Sequence, residues 1–236
     1  MGRNGYRAVT SSDAFVARLR EVGESRYHHR HPFHVAMHEG TLGPAQLRHW
    51  VANRFYYQTR IPLKDALILA KSESAEFRRT WLRRIREQDG DGASDGGLEL
   101  WLRLAEAVGL DRGEVIAHRR VVPGVRFACD DYVSSVARWS LLEAVASSLT
   151  ECFAPDLMRA RAAAWERHYP WIGPGGTAYF RARIGAARRD ADEALSFVAA
   201  RAITPELQEQ CVAALERKTD ILWHVVESIA TTCEET

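Results

Sequence analysis

The chain has 236 residues, 46% hydrophobic and 27% charged, a balance that excludes wholesale disorder and fibrous repeats and permits one continuous core. A formal net charge of +1 leaves no global field to recruit nucleic acid or an anionic membrane surface. The four cysteines (Cys129, Cys152, Cys211, Cys233) lie far apart, and neither a signal-peptide apolar region nor a membrane-length run is visible, so reduced thiols in a cytoplasmic protein are expected.

Helical patterning dominates, and no run of alternating β-branched residues appears. Ser11 or Ser12 caps a first helix with Phe15, Leu19 and Val22 at helical spacing, ended by Gly23. Pro32 opens a short helix closed near Gly40. Pro44 opens a long one to about Ala70, in which Pro62 predicts a kink or break. Ser74 starts the next, which stops at the turn-rich segment Asp89 to Gly97. Helices follow over Leu98–Val108, Glu114–Arg119 and Pro123–Phe153, then over Asp156–His168, Thr177 to about Ala202, and Thr204 to about Thr232. Thr204-Pro205-Glu206 is a strong start signal, a capping hydroxyl followed by proline in the first turn. Roughly nine helices with short connections and no internal repeat describe an all-α, compact helical bundle forming a single domain over residues 1–236, with flexible ends near 1–11 and 233–236.

Five of nine histidines fall in Tyr27-His-His-Arg-His-Pro-Phe-His-Val-Ala-Met-His38. His34 and His38 share a helical face, so a metal reading is natural. Helical di-iron sites, however, need inward carboxylates and a Glu-x-x-His pair, and that pair is absent from the sequence. Histidines capping a helix start are the plainer reading. In Trp50-Val-Ala-Asn-Arg-Phe-Tyr-Tyr-Gln-Thr-Arg-Ile-Pro-Leu-Lys-Asp-Ala66, Arg54 and Gln58 are i, i+4 neighbours beside Tyr57, and Lys64 follows Pro62. Cations next to aromatic rings suit a flat anionic ligand; a solvated helix face is the alternative. Arg84 with Gln88 and Tyr179 with Arg183 repeat the i, i+4 spacing, Arg161 lies two turns before His168, and Lys218 sits among apolar residues. No G-x-G-x-x-G, Walker loop, H-E-x-x-H or G-x-S-x-G occurs.

These two segments, with Asp95-Gly-Gly-Leu-Glu-Leu-Trp-Leu-Arg-Leu-Ala-Glu-Ala-Val-Gly109, Ser147-Ser-Leu-Thr-Glu-Cys-Phe-Ala-Pro155, His168-Tyr-Pro-Trp-Ile172 and Lys218-Thr-Asp-Ile-Leu-Trp223, resemble the pyrroloquinoline quinone synthase family, in one register from about Phe15 to Trp223. The resemblance implies a haem-oxygenase-like, seven-helix-type fold and a homodimer. It also implies ring closure and oxidation of a reduced, carboxylated quinone precursor with O2 as co-substrate, pyrroloquinoline quinone as product, and neither metal nor redox cofactor. It places His28, Arg54, Gln58, Lys64, Arg84, Tyr132, Glu151, Arg161, Tyr179, Arg183 and Lys218 around the ligand. Arg54, Lys64, Arg84, Arg161 and Lys218 are then expected to pair with carboxylates or quinone oxygens, Tyr179 and Arg183 to lie near O2, and Tyr132 and His28 to handle protons.

The chain departs from the family pattern at Gln88, where a base histidine is usual, at Gly92, where a second histidine is often found, and at Met158. Glutamine hydrogen-bonds but does not titrate. That leaves an oxidase of altered reaction or substrate and a non-catalytic quinone-binding protein as rival readings, and the histidine cluster motivates a third, a di-iron oxygenase.

Overall fold

The structure, a computed structural model, describes residues 11–233. The flexibility expected at the two ends therefore falls, apart from Ser11 and Cys233, outside the described residues. Helix α1 (Ser12–Arg26) begins where the Ser11 hydroxyl accepts the Ala14 amide at 3.3 Å. It runs past Gly23, which is no terminator. A Cβ there would lie 1.7 Å from the Phe153 ring, so the glycine permits a backbone-to-ring contact. A 3-10 turn (His28–Arg30) leads into α2 (Pro32–Glu39), which His31 caps through Nδ1 and Gly40 closes at φ 77°, the left-handed geometry glycine favours.

Helix α3 (Pro44–Ala70) continues unbroken through Pro62, against the expected break. It is followed by α4 (Ala75–Asp89), capped by Ser74, and α5 (Gly97–Ala107), beyond which Gly109 takes φ 84°. Asp111 caps α6 (Arg112–Ile116), which starts and stops earlier than the sequence suggests. The single helix expected from Pro123 to Phe153 is three pieces: α7 (Pro123–Arg138), α8 (Leu141–Ser147) and a 3-10 segment (Ser148–Phe153). The break lies at Trp139–Ser140, where Ser140 and Glu143 form a reciprocal capping box. That motif satisfies two otherwise orphaned backbone amides at a helix start. Then come α9 (Ala154–His168), a 3-10 turn (Pro170–Ile172), the single turn α10 (Gly173–Gly176), α11 (Ala178–Arg201) and α12 (Pro205–Cys233). The Thr204 hydroxyl caps α12 as expected.

Among the described residues there is no strand, and seven of the twelve α-helical segments reach 15 residues or more. Helix α3 is buried almost all round between Trp50 and Gln58, the mark of a central helix. It packs against α4, α5, α7 and α12, while α11 lies on α9 and the Ser148–Phe153 segment, and α12 on α7, α8 and α1. A contiguous core runs from Phe15 to Ile229. At its centre the Trp50 ring lies 5.4 Å from that of Trp101 and 5.8 Å from that of Trp165. None of the four cysteines forms a disulfide, and Cys129 and Cys211 are buried.

Candidate active site

A proline inside a helix removes one amide donor and strands the carbonyl four residues earlier. For Pro62 that carbonyl belongs to Gln58. The Gln88 side-chain amide from α4 donates to the Gln58 backbone oxygen at 3.2 Å and to Gln58 Oε1 at 3.2 Å. The Tyr179 hydroxyl from α11 donates to the same Oε1 at 2.9 Å. Gln88 thus ties α4 to the proline step of α3 and fixes Gln58, which in turn receives Tyr179. Gly97 makes room for this cluster, since a Cβ there would stand 2.7 Å from Gln88 Oε1 and 3.3 Å from the Tyr179 ring.

The cluster borders an internal cavity of about 70 Å³, room for a few waters and too little for a bicyclic ligand unless its walls move. Six of the residues named from the sequence line it: Arg54, Gln58, Glu151, Arg161, Tyr179 and Arg183. Tyr27, Tyr57, Trp101 and Met158 line it too. Tyr27 and Trp101 read as ordinary core aromatics in the sequence, because only their burial beside cations sets them apart.

Lys64, Arg84, Gln88, Tyr132, Lys218 and His28 stand one layer behind the wall. Lys64 is 2.7 Å from the Asp65 carboxylate and donates to Ser148 Oγ at 3.1 Å; burial acts to lower its ammonium, but Asp65 and further anionic neighbours prevail and raise it. Lys218 donates to the Tyr57 hydroxyl at 2.8 Å and lies 3.3 Å above the Tyr132 ring centre. Burial, then the charges of Lys64 and Arg54, push its ammonium well below the usual lysine range. Tyr132 shares a hydrogen bond of 3.1 Å with Ser147. Arg84 stacks on the Trp81 ring at 3.9 Å and reaches the Glu151 carboxylate at 3.3 Å.

Two of the three cations in the wall, Arg161 and Arg54, carry donors without acceptors. Arg161 is 2% exposed, and its Nε and one Nη have no hydrogen-bond partner; nor has one Nη of Arg54. Arg161 faces the rings of Trp50 and Phe180 at 5.0 and 5.9 Å, a weak substitute for an anion. Burial, then the nearby Arg54, lower its guanidinium to about 9. Unpaired buried donors are costly and therefore uncommon. Three of them, on two guanidiniums at the wall of one cavity, have the chemistry to receive an anion.

The histidine-rich segment divides. His28 and His34 are buried with their Nδ1 atoms 3.1 Å apart, and burial followed by the charge of Arg54 or Arg161 holds both imidazoles well below the usual range, hence neutral. The His28 ring lies 4.4 Å from that of Tyr27, tilted by 53°, and so meets the cavity only through that ring. His31 caps α2 and pairs with Glu227 at 2.8 Å. His29 and His38 open on a separate surface cleft. Among the described residues no group of three or more histidine, cysteine or carboxylate side chains is placed to hold a metal ion.

A family model described as TENA/THI-4/PQQC matches residues 16–228. A pyrroloquinoline-quinone synthase of Pseudomonas aeruginosa is 49% identical over 224 residues, covering 95% of this chain and 89% of that protein. One from Klebsiella pneumoniae is 47% identical over 219 residues, covering 93% and 87%. Among solved structures, a Shewanella denitrificans domain of unknown function with a haem oxygenase-like fold superposes with a TM-score of 0.78 at 13% identity, covering 96% of this chain and 95% of that one. A TenA homologue from Pseudomonas syringae pv. tomato gives 0.74 at 14%, covering 93% and 92%. The fold is haem oxygenase-like, and the chain belongs to the TENA/THI-4/PQQC family.

Proposed function

We propose that this chain is an O2-dependent oxidase of the pyrroloquinoline-quinone synthase type, which closes a ring in a reduced, carboxylated quinone precursor, oxidises it and releases peroxide. The observation that carries this reading is the pair of guanidiniums with unpaired donors, Arg54 and Arg161, in a cavity walled by Tyr27, Tyr57 and Trp101. A flat ligand bearing several carboxylates supplies the missing acceptors and stacks on the rings. Relatives identical at nearly half of their positions, along almost the whole chain, support the same substrate class.

The reduced substrate is itself the electron donor, so each two-electron step moves two electrons and two protons from substrate to O2 and yields peroxide. The protein binds, orients and moves protons. Arg54 and Arg161 grip carboxylates directly. Lys64, Arg84 and Lys218 add positive potential from behind the wall and reach the ligand once the cavity widens to admit it. Gln58 and Glu151 orient the ligand, Tyr179 and Arg183 face O2, and His28 and Tyr132 serve as proton carriers, with Gln88 holding the Gln58–Tyr179 pair in place. The proposal includes a single domain, a homodimer and a cytoplasmic location; among the described residues no helix is long and apolar enough to cross a membrane.

Incubating the purified chain with the reduced precursor in air tests the reading. Quinone and peroxide should appear together. Unchanged precursor beside tight binding of the finished quinone contradicts it, and favours the carrier reading that Gln88 motivates.

A further inference from the structure

Behind the cavity wall lies a second carboxyl group that no sequence motif marked. Asp190, on α11, is 1% exposed, and its carboxyl shares two arginine neighbours with that of Glu151, which lines the cavity. The same two arginines bracket the pair. Arg84 is 3.3 Å from Glu151 and 3.8 Å from Asp190, and Arg183 is 3.9 Å from each. Arg84 also donates to the Asp190 backbone oxygen. These ion pairs are loose, and Glu151 Oε2 and Asp190 Oδ1 have no hydrogen-bond partner. Two carboxyls packed around the same arginines, one of them fully buried, do not both ionise readily, and sharing one proton supplies the donor that each lacks.

We propose that Glu151 and Asp190 form a one-proton carboxyl pair that accepts and returns the protons of the reaction, with Glu151 at the cavity and Asp190 acting through it. This rests on the oxidase reading above. In each oxidation the pair takes a proton as a substrate C–H or N–H bond breaks. The electron pair left on the substrate passes to O2, and the stored proton and the second substrate proton end on peroxide. The carboxyl pair is restored at the end of the cycle, so atoms and electrons balance as reduced substrate plus O2 giving oxidised substrate plus hydrogen peroxide. It fills the place left by a non-titrating Gln88.

The surrounding charges favour this division of labour. Asp190 faces Arg83 at 3.7 Å, Arg84 and Glu87 from α4, Arg183 from its own helix and Glu151 from the Ser148–Phe153 segment; Glu87 in turn pairs with Arg189, and Arg83 with Glu193. Burial, then the Glu151 charge, push the Asp190 carboxyl upward. Burial also acts to raise Glu151, but Arg84, Arg183 and Lys64 prevail and hold it down. Asp190, the more deeply buried of the two, is thus the favoured seat for a shared proton, and Glu151 faces the cavity.

Carboxyl 13C NMR of the wild-type chain without substrate, titrated between about pH 5 and pH 9, tests the pair by itself. One buried carboxyl should stay protonated far above the ordinary aspartate range, and its resonance should vanish in Asp190→Asn. Two carboxyls that ionise as exposed ones do would overturn the proposal. Oxidation of the reduced precursor then tests the role. Asp190→Asn and Glu151→Gln should lower kcat about 100-fold and abolish the corresponding limb of its pH profile, with affinity for the finished quinone within threefold for Asp190→Asn. An unchanged profile in folded variants would overturn the proposal. If the wild type oxidises nothing, the oxidase reading fails, while the NMR titration still decides whether the pair holds one proton.

Discussion

Burying a guanidinium without an acceptor destabilises the folded chain, and Arg161 is held in that state by α9 against Trp50 and Phe180. Replacing it with an apolar residue of similar length removes the penalty, so Arg161→Met should stabilise the ligand-free protein by about 1–3 kcal/mol. The same change removes a charged hydrogen-bonding group from the ligand, so quinone affinity should fall about 10- to 100-fold. Thermal melting and a binding titration on the variant read both effects; a loss of stability together with unchanged affinity would assign Arg161 to the scaffold. Lys218, its ammonium pushed well below the usual range by burial and like charges, gives a pH prediction of definite sign. An anionic ligand favours protonated lysine, so the complex binds more protons than the free protein. Binding must then take up protons and weaken as pH rises. Calorimetry in two buffers of different ionisation enthalpy measures the uptake, and proton release would contradict it.

At the scale of the element, the continuity of α3 through Pro62 depends on a group from another helix. Leucine at position 88 leaves the Gln58 carbonyl buried without a partner, so Gln88→Leu should cost about 1–3 kcal/mol. Pro62→Ala restores the amide that this carbonyl lacks. In that background Gln88→Leu should cost less, and a double-mutant cycle should return a coupling of at least about 0.5 kcal/mol. Strict additivity would refute the link. Gly23→Ala, by contrast, drives a methyl into the Phe153 ring and should cost about 1–3 kcal/mol by overpacking, measured as a shift in denaturant midpoint. These two positions also show where the sequence misled. A glycine at the end of a helical pattern and a proline inside one are local stop signals, yet α1 and α3 run past both because the deciding partners, Phe153 and Gln88, are remote in sequence. The break at Ser140 was legible, since Ser140 and Glu143 hold capping-box spacing, but the apolar run around it reads as uninterrupted helix.

Across the whole molecule, the all-α architecture and most helix starts follow from local chemistry: the hydroxyls of Ser11, Ser74 and Thr204 cap helices as their sequence contexts suggest. The site is less legible. Arg54 and Gln58 declare themselves as neighbours on one helix, but that six of the named side chains meet at one cavity depends on packing among α3, α9, α11 and the Ser148–Phe153 segment. Asp190 is invisible in sequence because it lies in an arginine-rich exposed-looking stretch, and only the bundle turns it inward. The histidine cluster, the loudest local signal, disperses into a cap that also bonds Glu227, a buried neutral pair and a surface cleft. Organisation of the bundle around one anion receptor is therefore the central claim, and an anaerobic mixing experiment tests it most directly. With O2 excluded, the reduced precursor should bind and saturate the protein without forming quinone; on admission of O2, quinone absorbance and peroxide should rise together. Absence of saturable anaerobic binding would contradict the receptor, and tight binding followed by no spectral change on exposure to O2 would contradict the oxidase built on it.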